Sequence, residues 1–197
     1  MTDIPTESVP TSGYAACMEL QTERLRLRPP DAERDLTDIV AAASDPEMAR
    51  YLPTMPSPYT VADAERWVGG RVASGWAGGE EKTFVIRNGS DDTFLGVVTV
   101  RVREGGSVGY WLARSARGRG VMTEAVRAVV CWVHSSAGIQ HLILTTHPDN
   151  TASQGVARRT GFVRAGTLIH DPPFRDGRRE SLLFEWQATD DGPARVR

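Results

Sequence analysis

A run rich in glycine and arginine, Arg117-Gly118-Arg119-Gly120-Val121-Met122-Thr123-Glu124-Ala125, lies between the apolar run Ser107 to Leu112 and a helix-like run from Val121 to His134. A turn of this composition between a strand and a helix is suited to holding phosphate. Glycine lets backbone N–H groups come close to an anion. The helix start adds N–H donors with no intrahelical partner and the positive end of the dipole. Arg117 and Arg119 can add charge and forked hydrogen bonds.

Two familiar phosphate loops are excluded. A Walker loop needs a lysine that this stretch lacks, and a dinucleotide fingerprint needs a third glycine where the chain has Thr123. The stretch also lies in the last half of the chain, too late for the opening βαβ unit of a dinucleotide fold. An RNA-binding tail does not fit, because the glycines sit inside a strand–turn–helix pattern and do not repeat. A plain surface turn remains the competing reading for these residues taken alone.

The block resembles the acyl-CoA loop of the GNAT (Gcn5-related N-acetyltransferase) superfamily, written Gln/Arg-x-x-Gly-x-Gly/Ala. Arg117, Gly120 and Met122 hold its three defined positions, with Met122 replacing the usual small residue. Met122 followed by Thr-Glu-Ala is similar to the branch of ribosomal-protein alanine acetyltransferases, the RimJ/RimL type. A second block, Asn150-Thr151-Ala152-Ser153-Gln154-Gly155-Val156-Ala157-Arg158-Arg159-Thr160-Gly161-Phe162, starts 30 residues after Gly120, the family's distance. Many members carry a tyrosine four residues before the Gly of this block, where this chain has Ala157. The RimJ/RimL type instead has a serine three residues after the Asn, and Ser153 matches. The resemblance covers roughly residues 20–187.

The elements that must position these blocks can be read from pattern. Arg24, Arg26 and Arg28 alternate with Leu25 and Leu27, a strand period, until Pro29-Pro30 ends it. Asp31 can cap a helix carrying Leu36, Ile39 and Val40, and Thr60 a second carrying Ala64, Trp67, Val68 and Val72, closed by glycines 75, 78 and 79. Tyr51 to Tyr59 reads as a proline-broken loop. Lys82–Arg87 and Phe94–Arg103 read as strands with a hairpin signal at Asn88-Gly89. The spacing then predicts a strand to Leu112, a long helix ended by Gly138, and a strand over Ile139–Thr146. A helix over Asn150–Thr160 and strands over Phe162–Ile169 and Glu180–Gln187 follow.

The fold class is mixed α/β (α+β), in the order β-α-α-β-β-β-α-β-α-β-β. The resemblance implies a twisted mixed sheet of about seven strands, splayed between the strand ending at Leu112 and the strand ending near Thr146. Residues 20–190 are expected to form one domain, with loose tails at 1–19 and 191–197.

Composition narrows the function further. The chain has 197 residues, 40% hydrophobic, with formal net charge −2. No global field recruits nucleic acid or an anionic membrane, and no apolar run reaches the ~18–20 residues of a span. Cys17 and Cys131 suggest free thiols in a reducing cytoplasm. With no secretory signal visible at the N-terminus, the expected location is cytoplasmic.

The reaction implied by the resemblance is acyl transfer from acetyl-CoA to a primary amine, by direct attack in a ternary complex. The amine must be neutral, the oxyanion needs a donor, and the leaving thiolate is helped by a hydrogen bond. By matching positions, the backbone of Arg117, Gly118, Arg119, Gly120, Val121 and Met122 would bind pyrophosphate, with Thr123 adding a hydroxyl. Leu112 and Ala113 would pair with the pantetheine arm, Asn150 would contact it, and Ser153 would serve the thiol as catalytic donor or acid. Asn150 and Ser153 could equally just cap and open a helix.

Glu124 could be a base, or could pair with Arg127 or Arg117. The general base stays open among Glu104, Asp149, Asp171, Glu180 and water. His134, His141 and His147 lack ligand spacing and read as solvent-facing, so no metal is expected. The acceptor site should lie among the Tyr51–Tyr59 loop, the second helix and the His170–Arg179 loop. Tyr51, Tyr59, Trp67, Trp76, Trp111 and Phe174 are candidate walls, Tyr59 and Trp111 first.

The acceptor is either a protein N-terminal α-amine or a small amine such as an aminoglycoside or polyamine. Asp171 and Asp176 are offset by Arg175, Arg178 and Arg179, which disfavours polycations. Succinyl-CoA is an alternative donor, and a catalytically weak CoA-binding module the alternative class. No nucleic-acid or membrane partner is expected, and the chain would be a monomer or a homodimer.

Overall fold

A computed structural model describes residues 18–103 and 105–188. Residues 1–17 with Cys17, Glu104, and residues 189–197 lie outside these residues, so of the expected tails only residues 18 and 19 are described. The strands are β1 (Leu20–Gln21), β2 (Leu25–Arg28), β3 (Glu81–Asn88), β4 (Phe94–Arg101), β5 (Gly106–Leu112), β6 (His141–Thr146), β7 (Val163–Ile169) and β8 (Glu180–Gln187). The helices are α1 (Ala32–Ala43), α2 (Pro46–Tyr51), α3 (Val61–Arg66), α4 (Ala73–Gly78), α5 (Val121–Ala137) and α6 (Thr151–Arg159). The strands form one sheet in the order β1-β2-β3-β4-β5-β6-β8-β7. It has eight strands rather than about seven, because Leu20–Gln21 pairs with Leu27 and Arg26 at the edge.

Local chemistry explains most boundaries. Asp31 caps α1 by accepting the Arg34 N–H at 3.0 Å. Thr60 and Asp63 form a reciprocal capping box at the start of α3. That helix runs through a π-helical turn, Trp67–Val72, into α4 and ends where Gly79 takes φ 80°. The paired Gly69-Gly70, both weak α-helix formers, lie in this turn. Helix α2 was not expected. Asp45 accepts the Glu47 N–H at 3.1 Å and Pro46 stands at the first helical position, a capping signal hidden beside the proline-rich loop.

The sheet carries apolar residues on both faces. On one, Phe84, Ile86, Val98, Val100 and Val108 pack under α5, which contributes Val121, Met122, Ala125, Val126, Val129, Val130 and Val133. On the other, Val85, Val97 and Phe94 pack with Ile39 of α1 and Ala64 of α3. Cys131 of α5 is exposed, away from its valine neighbours.

Strand β5 obeys the same alternation. Val108, Tyr110 and Leu112 join the α5 side, and Trp111 the α1–α3 side. The only parallel pair among the described residues, β5 with β6, is held at Gly106–Leu142 and Ser107–Ile143. Beyond these two positions the strands part, which is the splay expected between Leu112 and Thr146. No helix among the described residues is long and apolar enough to cross a membrane.

Candidate active site

The loop after β5 is built to present backbone. A 3₁₀ turn, Arg114–Ala116, carries the chain over buried Ala116, and then Gly118 and Gly120 take φ 73° and 76°. Those left-handed angles are open to glycine at little cost and strain any residue with a Cβ. No side chain among the described residues caps α5, and the side chains of Val121 and Met122 turn into the core. The first-turn N–H groups are therefore the polar groups left at this helix end. Met122 needs no small side chain for this, since only its backbone belongs to the loop.

Two side chains of the loop, Arg117 and Thr123, are already engaged. The Arg117 guanidinium lies 2.7 Å from Glu47 and 2.8 Å from Asp45 of the α2 segment, and donates to the Leu112 carbonyl at 3.3 Å. Its charge is spent within the protein rather than turned outward. The Arg119 carbonyl accepts from Arg24 at 3.3 Å, while the Arg119 side chain is exposed. The Thr123 hydroxyl accepts from Arg159 Nε at 3.3 Å, which ties α6 to α5. The Ala113 N–H donates to the Leu95 carbonyl at 2.9 Å. A groove of about 720 Å³ runs beside the loop, along Thr22, Arg24, Arg26, Asn88, Arg119 and Val121.

Across the splay, α6 begins at Asn150. Its Oδ1 accepts the Ser153 N–H at 3.0 Å, so Asn150 is the helix cap. Ser153 is buried, 9% exposed, and its Oγ lies 3.0 Å from the hydroxyl of Tyr110 on β5. Sequence reading had passed over Tyr110. The signal was the strand alternation, which sends Tyr110 to the α5–α6 side and Trp111 to the opposite one. Burial pushes the Tyr110 hydroxyl up to about 12, against the Ser153 hydrogen bond, so the phenol stays protonated. Ala157 is fully buried in the core.

The expected acceptor loops do meet. Arg175 donates to the carbonyls of Ala49 at 3.0 Å and Met55 at 2.8 Å, docking the 170–179 loop on the α2 end. Tyr59 is buried in the α1–α3 core, where burial raises its hydroxyl to about 12. Trp111 packs on Phe94 at 5.9 Å, and Phe174 is buried. Trp76 lies elsewhere: its ring meets Phe84 and its N–H donates to the Thr83 carbonyl at 3.0 Å.

Three expectations need correction. Glu124 pairs with neither Arg127 nor Arg117. Its carboxylate accepts from the Thr22 hydroxyl at 2.5 Å, the Arg24 N–H at 3.1 Å and Arg24 Nε at 2.7 Å. Burial raises this carboxyl, but those hydrogen bonds outweigh it and hold it below the usual range. His147 is not solvent-facing. It is buried between Tyr51 and Phe174, with Nδ1 accepting the Asp149 N–H at 3.0 Å and Nε2 3.1 Å from Asp176. His134 and His141 are half-buried, on the Ile139 carbonyl and Glu185 respectively.

His147, Asp149 and Asp176 do bring three potential ligand atoms within 4.8 Å of one another. Yet Asp149 is held by Arg178 at 2.9 Å and Arg50 at 3.5 Å, and both imidazole nitrogens are engaged. Asp171, another candidate base, pairs with Arg179 at 3.0 Å.

Comparison with known proteins places this geometry. The Escherichia coli (strain K12) ribosomal-protein-serine acetyltransferase is 29% identical over 94 residues, 46% of this chain and 51% of that protein. The chain thus spans about half the length of the curated relatives it matches. Among solved structures, RimJ of Mycobacterium smegmatis in complex with CoA-disulfide superposes with TM-score 0.74 at 23% identity, over 87% of this chain and 86% of that one. The Vibrio fischeri ribosomal-protein-S5-alanine acetyltransferase gives TM-score 0.75 at 18% identity, over 88% and 98%. The sequence model described as acetyltransferase (GNAT) domain matches residues 24–163, most of the chain, and with this fold and loop the chain belongs to the GNAT acetyltransferase family.

Proposed function

We propose that the chain is an acetyl-CoA-dependent N-acetyltransferase acting on the α-amine of a protein N-terminus. The observation that carries this reading is the uncapped start of α5, formed by Gly118 and Gly120, at the end of the strand that parts from β6. An anion at that helix start meets free N–H groups. An extended pantetheine arm fits the gap between parted strands, where it would meet Asn150 and Ser153. Asn150 spends Oδ1 on the cap, so its amide nitrogen is the group that reaches the arm. Ser153 Oγ–H donates to the departing sulfur. A thiol with a pKa near about 8.5 leaves readily enough for a hydrogen bond to suffice.

The acceptor assignment rests on the similarity to ribosomal-protein acetyltransferases and on the charge of the acceptor loops. Asp171 and Asp176 of the 170–179 loop, and Asp149 beside it, are paired with arginines or His147, which disfavours a polycation there. Arg175 and Arg178 are likewise committed, to two carbonyls and to Asp149, which leaves neither to hold the second carboxylate of a succinyl donor. Both points favour acetyl transfer to a peptide amine.

Free CoA thiol should be measured with acetyl-CoA or succinyl-CoA against peptides beginning with Ser or Ala, an aminoglycoside and a polyamine. The expected result is turnover with acetyl-CoA and peptide, falling about a hundredfold in kcat on Ser153→Ala. CoA binding without thiol release from any acceptor would support the non-catalytic CoA-binding reading instead.

A further inference from the structure

We propose that Tyr110 is a positioning residue for the thiol chemistry: its phenol donates to Ser153 Oγ and so directs the serine's own hydrogen at the CoA sulfur. The inference rests on the transferase reading and deepens it. Ser153 sits in the first turn of α6 with its N–H fixed on Asn150 at 3.0 Å, but nothing in that turn fixes where its hydroxyl hydrogen points. Tyr110, from the opposite strand of the splay, brings one hydrogen to that spot. Its hydroxyl lies 3.0 Å from Ser153 Oγ and 3.3 Å from the Ser153 carbonyl. A phenol has one hydrogen to give, and the shorter contact is to Oγ.

With that lone pair taken, the serine hydrogen turns to the next acceptor in the gap, the departing sulfur. Burial keeps the phenol from ionising, so its one hydrogen stays available to donate to Ser153 Oγ. The two bonds then run in one direction, phenol to serine to sulfur, and each polarises the other. No proton changes hands between Tyr110 and Ser153. The amine nitrogen bonds to the acyl carbon and gives up its proton to solvent or a base, the carbon–sulfur bond breaks with its electron pair on sulfur, and the chain of two hydrogen bonds stabilises that charge.

The arrangement makes a prediction that needs no acceptor. A hydrogen bond aimed at sulfur favours the thiolate, so it lowers the pKa of bound CoA. CoA binding is first measured by calorimetry for the wild-type chain, Tyr110→Phe, Ser153→Ala and the double variant. The bound thiol is then titrated by its ultraviolet absorbance against a desulfo-CoA reference, which cancels the protein's own thiols.

The expected result is a wild-type thiol about one unit below free CoA, a shift lost in Ser153→Ala and about half lost in Tyr110→Phe. The double variant should match Ser153→Ala, because Tyr110 acts through the serine. Below the pKa of the bound thiol all four should bind CoA within about threefold of one another; above it Ser153→Ala should bind more weakly, because the thiolate has lost its donor. With an acceptor that turns over, Tyr110→Phe should lower kcat about tenfold and leave KM for acetyl-CoA unchanged.

A Tyr110→Phe thiol titrating like wild type, or a Tyr110→Phe effect that persists beside Ser153→Ala, would overturn the proposal and leave the transferase reading standing. A Ser153→Ala thiol titrating like wild type would remove the role of Ser153 and this proposal with it. Failure of every form to bind CoA would overturn the transferase reading itself.

Discussion

At Gly120 the backbone holds φ 76°, and a Cβ added there would meet only Arg24 Nη2 at 3.6 Å, an ordinary contact. Space is therefore not why glycine is needed; the dihedral is. Gly120→Ala should cost about 1–2 kcal/mol in urea unfolding and weaken CoA binding by calorimetry, because the loop relieves the strain by moving its N–H groups. An unchanged CoA affinity would mean that those groups do not hold the ligand. Glu124, one turn on, shows the opposite kind of residue, polar and placed near the chemistry yet structural. It receives Thr22 and Arg24 from the loop before β2 and so fastens that edge of the sheet to the start of α5. Arg24 is about half exposed, so solvent discounts the pair, and Glu124→Gln should cost about 0.5–1 kcal/mol. Its kcat should stay within about threefold of wild type. A collapse of kcat with stability intact would restore Glu124 as a base.

Among the elements, the tightest polar junction joins β2, α1 and β3. Asp35 of α1 is fully buried and accepts from Arg28 at 2.7 and 2.8 Å, from the Asp31 N–H at 2.7 Å, and from Arg87. Asp35→Asn would leave two guanidiniums facing each other in a dry site, since Asp38 reaches only Arg87. A loss of about 3–5 kcal/mol in urea unfolding is expected, and a loss under about 1 kcal/mol would show that water replaces the carboxylate. Nothing in the sequence around Asp35 announces this junction, because its partners are 7 and 52 residues away. Legibility follows that distance. The caps at Asp31 and Thr60, the stop at Gly138 and the bounds of β8 were readable, since each depends on neighbours within a turn. Helix α2 was missed because the prolines beside it dominate local propensity, though Asp45-Pro46 carries its signal. At the candidate site, Gly118 and Gly120 were legible as the turn before α5, where each takes a positive φ. The Tyr110–Ser153 contact was not, because it crosses the splay from β5 to α6 over 43 residues, and a tyrosine was sought on α6 itself, at the position of Ala157.

For the molecule as a whole, the carboxylates decide how it meets acid. Burial raises Asp35, but the hydrogen bonds from Arg28, Asp31 and Arg87 outweigh it and its net shift is downward. Glu81 is lowered first by its hydrogen bond from Arg71, against burial, with Arg101 adding to it. Glu124 is lowered for the reasons given above. Each therefore binds its proton more weakly folded than unfolded, where the values are 3.8 for Asp and 4.5 for Glu. Above those unfolded values the stabilisation is fully present. As pH falls, the unfolded chain takes up the protons first, and the contribution is lost as pH drops through the lowered folded values. Tm should accordingly fall steeply below about pH 4.5. Asp35 is the least exposed of the three and should supply a large part of that slope. Asp35→Asn, which cannot take up a proton there, should start lower and then decline more gently, so that its Tm curve converges on that of the wild type in acid. Parallel curves would show that Asp35 is not what acid attacks, and that the more exposed pairs of Glu81 and Glu124 dominate the response.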